Sequence, residues 1–166
     1  MLFLMKRAFR LKTEEIMPEH KELLCELREA IDKVFGGSLF VREVDTGSCN
    51  ACEVEVANLN NPYYDIERFG IKFVASPKHA DVLLITGCVT RNMLVPMIKA
   101  YENAPNPKFI VTLGDCTKDC SYFKDSYAVE GPVEKHIPVH LHIPGCPPEP
   151  RHIIEGFLKL CNRWER

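Results

Sequence analysis

No stretch of this sequence approaches the roughly 18 consecutive apolar residues of a membrane-spanning helix. Net charge is also scarce, −2 over 166 residues, which leaves no electrostatic case for nucleic acid as a partner. There is no internal repeat and no low-complexity segment. An export signal is lacking too. The apolar run in MLFLMKRAFRLK is too short for a signal-peptide core, and no small-residue cleavage site follows it. A reducing compartment is therefore expected. There, eight cysteines point to metal ligands or redox groups rather than to structural disulfides.

What is present suits one globular domain, with 46% hydrophobic and 27% charged residues. The length is enough to bury a core without covalent staples. Met1 to Lys12 is basic and amphipathic, with Lys6, Arg7, Arg10 and Lys12 among Leu2, Phe3, Leu4, Phe9 and Leu11. Such a segment docks on its own domain or a partner, or lies against a membrane surface or membrane subunit. Residues 1–37 read as this segment and a helix, and 38–166 as an α/β domain.

Hydrophobic periodicity predicts a helix from Glu19 to Phe35, stopped by Gly36-Gly37. Strands are expected at Ser38–Val44, Lys72–Ala75, Val82–Ile85, Phe109–Leu113 and Ile137–Ile143. Thr90 to Tyr101 reads as a helix whose regular part starts near Val95, because of Pro96. Pro150 opens a last helix, with Ile153, Ile154, Phe157, Leu158, Cys161 and Trp164 at helical spacing. Alternating strands and helices imply a doubly wound parallel sheet, whose sites lie outside the carboxyl ends of its strands.

Six of the eight cysteines fall at that edge. Cys49 and Cys52 follow the first strand, Cys88 the third, Cys116 and Cys120 the fourth, and Cys146 the fifth. Cys25 and Cys161 lie within helices and are expected as buried, inert thiols. Gly47, Gly87, Gly114 and Gly145 each stand within two residues of a cysteine. Glycine lets backbone approach a bulky group and leaves amides free to bond sulfur. A lone CxxC fits a metal site, a redox dithiol or neither. A redox dithiol leaves the other loop cysteines unexplained. Structural zinc usually has two CxxC knuckles. Here the further cysteines lie 64 and 94 residues after Cys52, a spacing that favours iron–sulfur over zinc.

Five ordered motifs, CNACEVE, YDIERFG, SPKHADVLLITGCVT, APNPKFIVTLGDC and IPVHLHIPGCPPEP, span roughly Leu39 to Leu160. Together they resemble the small subunit of energy-converting, membrane-associated [NiFe] hydrogenases and its homologue in respiratory complex I. The resemblance implies a flavodoxin-like domain holding one [4Fe–4S] cluster beside a large subunit's active site. Carried over by motif, the ligands are Cys49, Cys52, Cys116 and Cys146. The spaced CxxC resembles the hydrogenase branch, since the complex I branch more usually has adjacent cysteines. Where that family has a glycine-rich turn, this chain has CTKDC, so Cys120 is the second choice for the third ligand. Cys88 is extra to the pattern and is expected as a buried thiol or one beside the cluster. His140 and His142 replace an acidic and an aromatic residue.

The implied function is single-electron transfer from a ferredoxin-like iron–sulfur subunit to a [NiFe]-type large subunit, for proton reduction coupled to ion translocation. Membrane subunits complete the implied complex, with this chain peripheral on the cytoplasmic face of the membrane. The alternatives are the equivalent subunit of a complex I-like quinone or sulfur-compound reductase, and a zinc-binding assembly protein. Glu53 and Asp115 adjoin ligands, and negative charge there lowers a cluster's potential. Glu53 is either a helix-start carboxylate or part of a proton route. Strand alternation puts His140 and His142 on one face, where protonation would couple the potential to pH. Arg68 is expected either in an ion pair with Asp65 or Glu67, or against the large subunit.

Overall fold

A computed structural model describes residues 18–164, so the amphipathic stretch Met1–Lys12 lies outside the described residues. The chain opens with helix α1 (Pro18–Phe35) and strand β1 (Leu39–Asp45), followed by α2 (Ala51–Asn58) and β2 (Ile71–Phe73). Next come β3 (Val82–Thr86), the two-residue β4 (Val89–Thr90) and α3 (Arg91–Asn103). Then follow β5 (Phe109–Leu113), the single turn α4 (Cys116–Asp119), β6 (Val129–Gly131), β7 (Leu141–Ile143) and α5 (Pro150–Trp164).

Five strands form one sheet in the order β2-β1-β3-β5-β7, and every pairing in it is parallel. Counted along the chain, that order is 2-1-3-4-5, the flavodoxin-like winding. The expected α/β doubly wound fold is therefore the observed one. The wholly apolar runs of β3 and β5 are buried at every residue, because helices cover both faces of a parallel sheet. One face packs Leu39, Val41, Leu84 and Val111 against Leu24, Leu27 and Ile31 of α1 and Ile153, Ile154 and Phe157 of α5. The other packs Val44, Leu83, Ile85 and Ile110 against Met97 of α3. Each such buried side chain contributes about 1.5–3 kcal/mol relative to exposure. Gly156 lets α5 settle on the sheet edge, since a Cβ there would lie 2.4 Å from Ile143 Cδ1.

Several boundaries differ from the sequence expectation. The second strand is Ile71–Phe73 and ends before Ala75. The last strand spans only Leu141–Ile143 rather than Ile137–Ile143. Val133–Lys135 form a 3-10 turn, Ile137 N–H still bonds back to Val133, and Pro138 has no N–H to add to a ladder. Helix α3 begins at Arg91 and carries Pro96 inside it, not after a break near Val95. Asn92 and Pro96 both lie on its exposed side, so the missing i→i−4 bond falls toward solvent. Cys25 is exposed rather than buried. It stands one residue past Leu24, about 100° around α1 from the core stripe. β4 and β6, which no periodicity announced, pair antiparallel as a separate ribbon.

Candidate metal centre

Because the sheet is parallel, the loops leaving β1, β3, β5 and β7 share one edge. All six loop cysteines meet there, while Cys161 is buried within α5.

The β1 loop is built first. The Asp45 carboxylate accepts from the N–H groups of Gly47 and Ser48 at 2.7 and 2.8 Å. Thr46 is fully buried and donates its hydroxyl to the Thr86 carbonyl at 2.7 Å. Gly47 turns with φ +124°, and a Cβ there would overlap Thr90. The tight turn presents Cys49 to solvent, and the left-handed Asn50 then starts α2. Cys52 falls in the first turn of α2, half-buried.

The β5 and β7 loops are tied to each other. Asp115 N–H donates to the Gly145 carbonyl, and Gly145 N–H donates to Asp115 Oδ1, both at 2.9 Å. Gly114 N–H donates to the Ile143 carbonyl at 2.9 Å. These bonds hold Cys116, the first residue of α4, near Cys146. Gly114 sits with φ +91°, and a Cβ there would lie only 2.6 Å from Cys52 Sγ. The backbone at 114 is thus a cradle that the Cys52 sulfur fills.

Four thiols face one another across this edge. Burial pushes the Cys52 thiol up to about 12, with Glu53, Cys49, Cys116 and Cys146 adding repulsion in that order. Burial likewise pushes the Cys116 thiol up to about 11, helped by Cys146 and Cys49. Two of these four soft donors, Cys52 and Cys116, are thus raised by burial and then by their neighbours, a state that a cationic metal group would relieve, since binding displaces thiol protons. The donor set and the Gly114 cradle fit an iron–sulfur group. Among the described residues, no three His, Cys, Asp or Glu side chains are drawn together tightly enough to grip a single metal ion.

The remaining expected residues sort by position. Cys88 and Cys120 are 1% and 2% exposed and hydrogen-bond to each other. Cys88 adjoins Cys120 and also acts on the Cys116 thiol, so it links this pair to the four-thiol edge. His142 Nδ1 lies 3.0 Å from the Thr112 hydroxyl. Burial, then Lys118, lowers its pKa, so the neutral ring prevails at pH 7. His140 does not share that position. Its Nδ1 accepts from Ile110 N–H at 2.9 Å and its ring meets Phe109, at the start of β5 and away from the cysteine edge. Arg68 pairs with Asp65 at 3.1 Å and lies over the Phe69 ring.

Sequence reasoning singled out Glu53 but missed its partner Glu43. Glu43 and Glu53 border a groove of about 340 Å³, together with Arg42, Asn60, Phe73 and Val74. Both Glu53 carboxylate oxygens and one of Glu43 are buried without a hydrogen-bond partner among the described residues. Burial first, then the Glu53 charge, pushes the Glu43 carboxyl up to about 7. Alternation along β1 does put Glu43 on the face of Leu39 and Val41, and that was the available signal.

The chain is similar to several known proteins. Residues 49–160 match the family described as NADH ubiquinone oxidoreductase, 20 Kd subunit. The chain is 43% identical to formate hydrogenlyase subunit 7 of Escherichia coli (strain K12) over 136 residues, which is 82% of this chain and 53% of that protein. It therefore spans about half the length of that relative. It is 44% identical over 126 residues to a probable membrane-bound hydrogenase subunit of Pyrococcus furiosus, covering 76% of this chain and 75% of that one. Among solved structures, it resembles a chain of the membrane-bound sulfane sulfur reductase, an archaeal respiratory membrane complex. There the TM-score is 0.69 and the identity 34%, over 85% of this chain and 76% of that chain. A chain of an NAD+-reducing [NiFe]-hydrogenase shares the fold, with TM-score 0.58 at 15% identity over 76% of this chain and 92% of that chain.

Proposed function

The chain belongs to the family of the 20 Kd subunit of NADH ubiquinone oxidoreductase, and from that premise we propose that it is the electron-transfer small subunit of a membrane-bound hydrogenase complex. Cys49, Cys52, Cys116 and Cys146 would hold one [4Fe–4S] cluster next to a [NiFe]-type large subunit. The carrying observation is the convergence of four thiols from the β1, β5 and β7 loops on one edge, with the Cys52 sulfur against Gly114. A lone zinc would bring all four sulfurs to about 2.3 Å from one ion. A cluster spreads its ligands over several irons.

When bound, the cluster supplies one-electron exchange. The chain's own residues position it. Asp115 locks the third and fourth ligand loops together, and Gly114 opens room for Cys52. The carboxylates of Glu53 and Asp115 bias the site toward low potential. Electrons would arrive from a ferredoxin-like iron–sulfur subunit and leave for proton reduction coupled to ion translocation. Among the described residues no helix is long and apolar enough to cross a membrane. Attachment would be peripheral, on the cytoplasmic face, through membrane subunits. Arg68 would meet the large subunit.

The test is anaerobic purification of the native complex with iron, nickel and hydrogenase activity measured together. About four irons per copy of this chain are expected beyond those of the partner subunits, and Cys116→Ser should lose most of those four. One zinc and no visible absorption would sink the reading in favour of a zinc-binding assembly protein. A second reading, a complex I-like quinone or sulfur-compound reductase subunit, is favoured by the likeness to the sulfane sulfur reductase. Iron without nickel in the complex selects it.

A further inference from the structure

Two thiols at the cysteine edge are left over by the proposed ligand set, and they are not scattered. Cys88 sits in the turn between β3 and β4, and Cys120 ends the turn that begins at Cys116. They are 1% and 2% exposed. The Cys88 thiol donates a hydrogen bond to the Cys120 sulfur, so the two sulfurs already face each other.

The backbone on both sides is committed to this placement. Cys120 and Ser121 are consecutive residues in the left-handed region, with φ 61° and 43°. Glycine would take either position at lower cost. A cysteine stands where glycine would fit with less strain, and its side chain is buried. On the other side, the Gly87 turn is pressed against the β1 loop so closely that a Cβ would lie 2.5 Å from Ser48 N. Thr46 bonds to both the Thr86 and Gly87 carbonyls. Cys88 is therefore held on a rigid base, and Cys120 on the short turn that carries Cys116.

We propose that Cys88 and Cys120 are a redox modification site, a buried dithiol that closes reversibly to a disulfide and anchors the turn after Cys116 to the β3–β4 turn. This rests on the reading that Cys116, not Cys120, is the third ligand. The oxidant is a small peroxide, because two buried sulfurs shut out a bulky soluble disulfide. Cys120 is the attacking sulfur, since it accepts the hydrogen bond that Cys88 donates. It displaces hydroxide from the peroxide and becomes a sulfenic acid. Cys88 then attacks that sulfur and releases water, forming the S–S bond. In sum, two thiols and one peroxide give one disulfide and two waters. The sulfurs lose two electrons, the peroxide gains them, and both thiol hydrogens leave in water. Only a reductant as small as the peroxide, such as a low-molecular-weight dithiol, reaches the bond and reverses the step by exchange.

The test treats the anaerobically purified complex with hydrogen peroxide, blocks free thiols in denaturant and maps tryptic peptides by mass. Lys118 lies between Cys116 and Cys120, so their peptides separate. The expected product is a linked Cys88–Cys120 peptide, about 2 Da lighter than its two halves, that a soluble dithiol splits. In Cys88→Ser, Cys120 should instead be recovered as a sulfenic acid adduct. Cys120→Ser should keep its iron. If Cys120 keeps no link to Cys88, or is linked mainly to Cys116, the proposal is overturned while the ligand assignment stands. If Cys120→Ser loses its iron and Cys116→Ser keeps it, the ligand assignment falls and this proposal with it.

Discussion

Asp115 and Gly145 exchange two hydrogen bonds of 2.9 Å, each donating its backbone N–H, one to a carbonyl and one to a carboxylate. This pair joins the loops of β5 and β7, so the third and fourth proposed ligands move as one unit. Asp115→Ala removes the side-chain half of the clasp. Iron retention should fall about 10–100-fold, while Asp115→Asn, which keeps an acceptor oxygen, should retain most of it. Iron per chain during dialysis against a chelator is the measurement.

Gly114 makes a sharper prediction. Gly114→Ala puts a methyl group 2.6 Å from Cys52 Sγ at a φ of +91° that alanine resists. The Cys52 side chain must swing out of the cradle. Overpacking and backbone strain together should cost about 1–3 kcal/mol. The visible absorption of the bound cluster should be lost or weakened, with far-ultraviolet circular dichroism little changed.

The thiol protons set a pH dependence. Cys52 and Cys116 are held up to about 12 and 11 by burial and by neighbouring thiols, so both are protonated in the metal-free chain at pH 7. Metal loading must release these protons. Reconstitution with iron and sulfide should therefore grow more favourable as pH rises from 7 to 9. Titration of released protons during loading, in weakly buffered solution, checks it. A yield flat across that range would contradict the thiol assignment.

Glu43 predicts the opposite trend for stability. Its carboxyl is raised from 4.5 to about 7, first by burial and then by Glu53. Between those values the folded chain holds a proton that the unfolded chain has released. The contribution is therefore present below about 4.5 and lost as pH rises through about 7. The group is partly solvated, so the loss is on the order of 1 kcal/mol after allowing for screening. Glu43→Gln should flatten that decline. Urea midpoints at pH 5 and pH 7.5 give the answer.

Much of this architecture was legible because burial on two faces writes itself into sequence. Val82–Thr86 and Phe109–Leu113 are continuous apolar runs, and α5 repeats its apolar residues at helical spacing from Pro150 to Trp164. The cysteine edge followed from placing strand ends side by side. Shorter features were not legible. β7 holds only three residues because Pro138 and a 3-10 turn use up the run before it. Pro96 suggested a helix start that solvent exposure made unnecessary. The pairing of Cys88 with Cys120 joins positions 32 residues apart, through turns whose direction no local pattern encodes. The Glu43–Glu53 groove likewise needs β1 and α2 to be folded together before it exists.

The strand order carries a consequence for biogenesis. β1 lies next to β3, not β5, and β7 completes the far edge of the sheet. Cys49 and Cys52 therefore meet Cys116 only after β3 has been inserted between their strands. They meet Cys146 only after β7 has docked. A nascent chain that has not yet released β5 would have only a CxxC pair to offer an iron–sulfur carrier. Delivery of the proposed cluster would wait for β7 to dock, and a loaded pool would contain only molecules that had already passed that folding check.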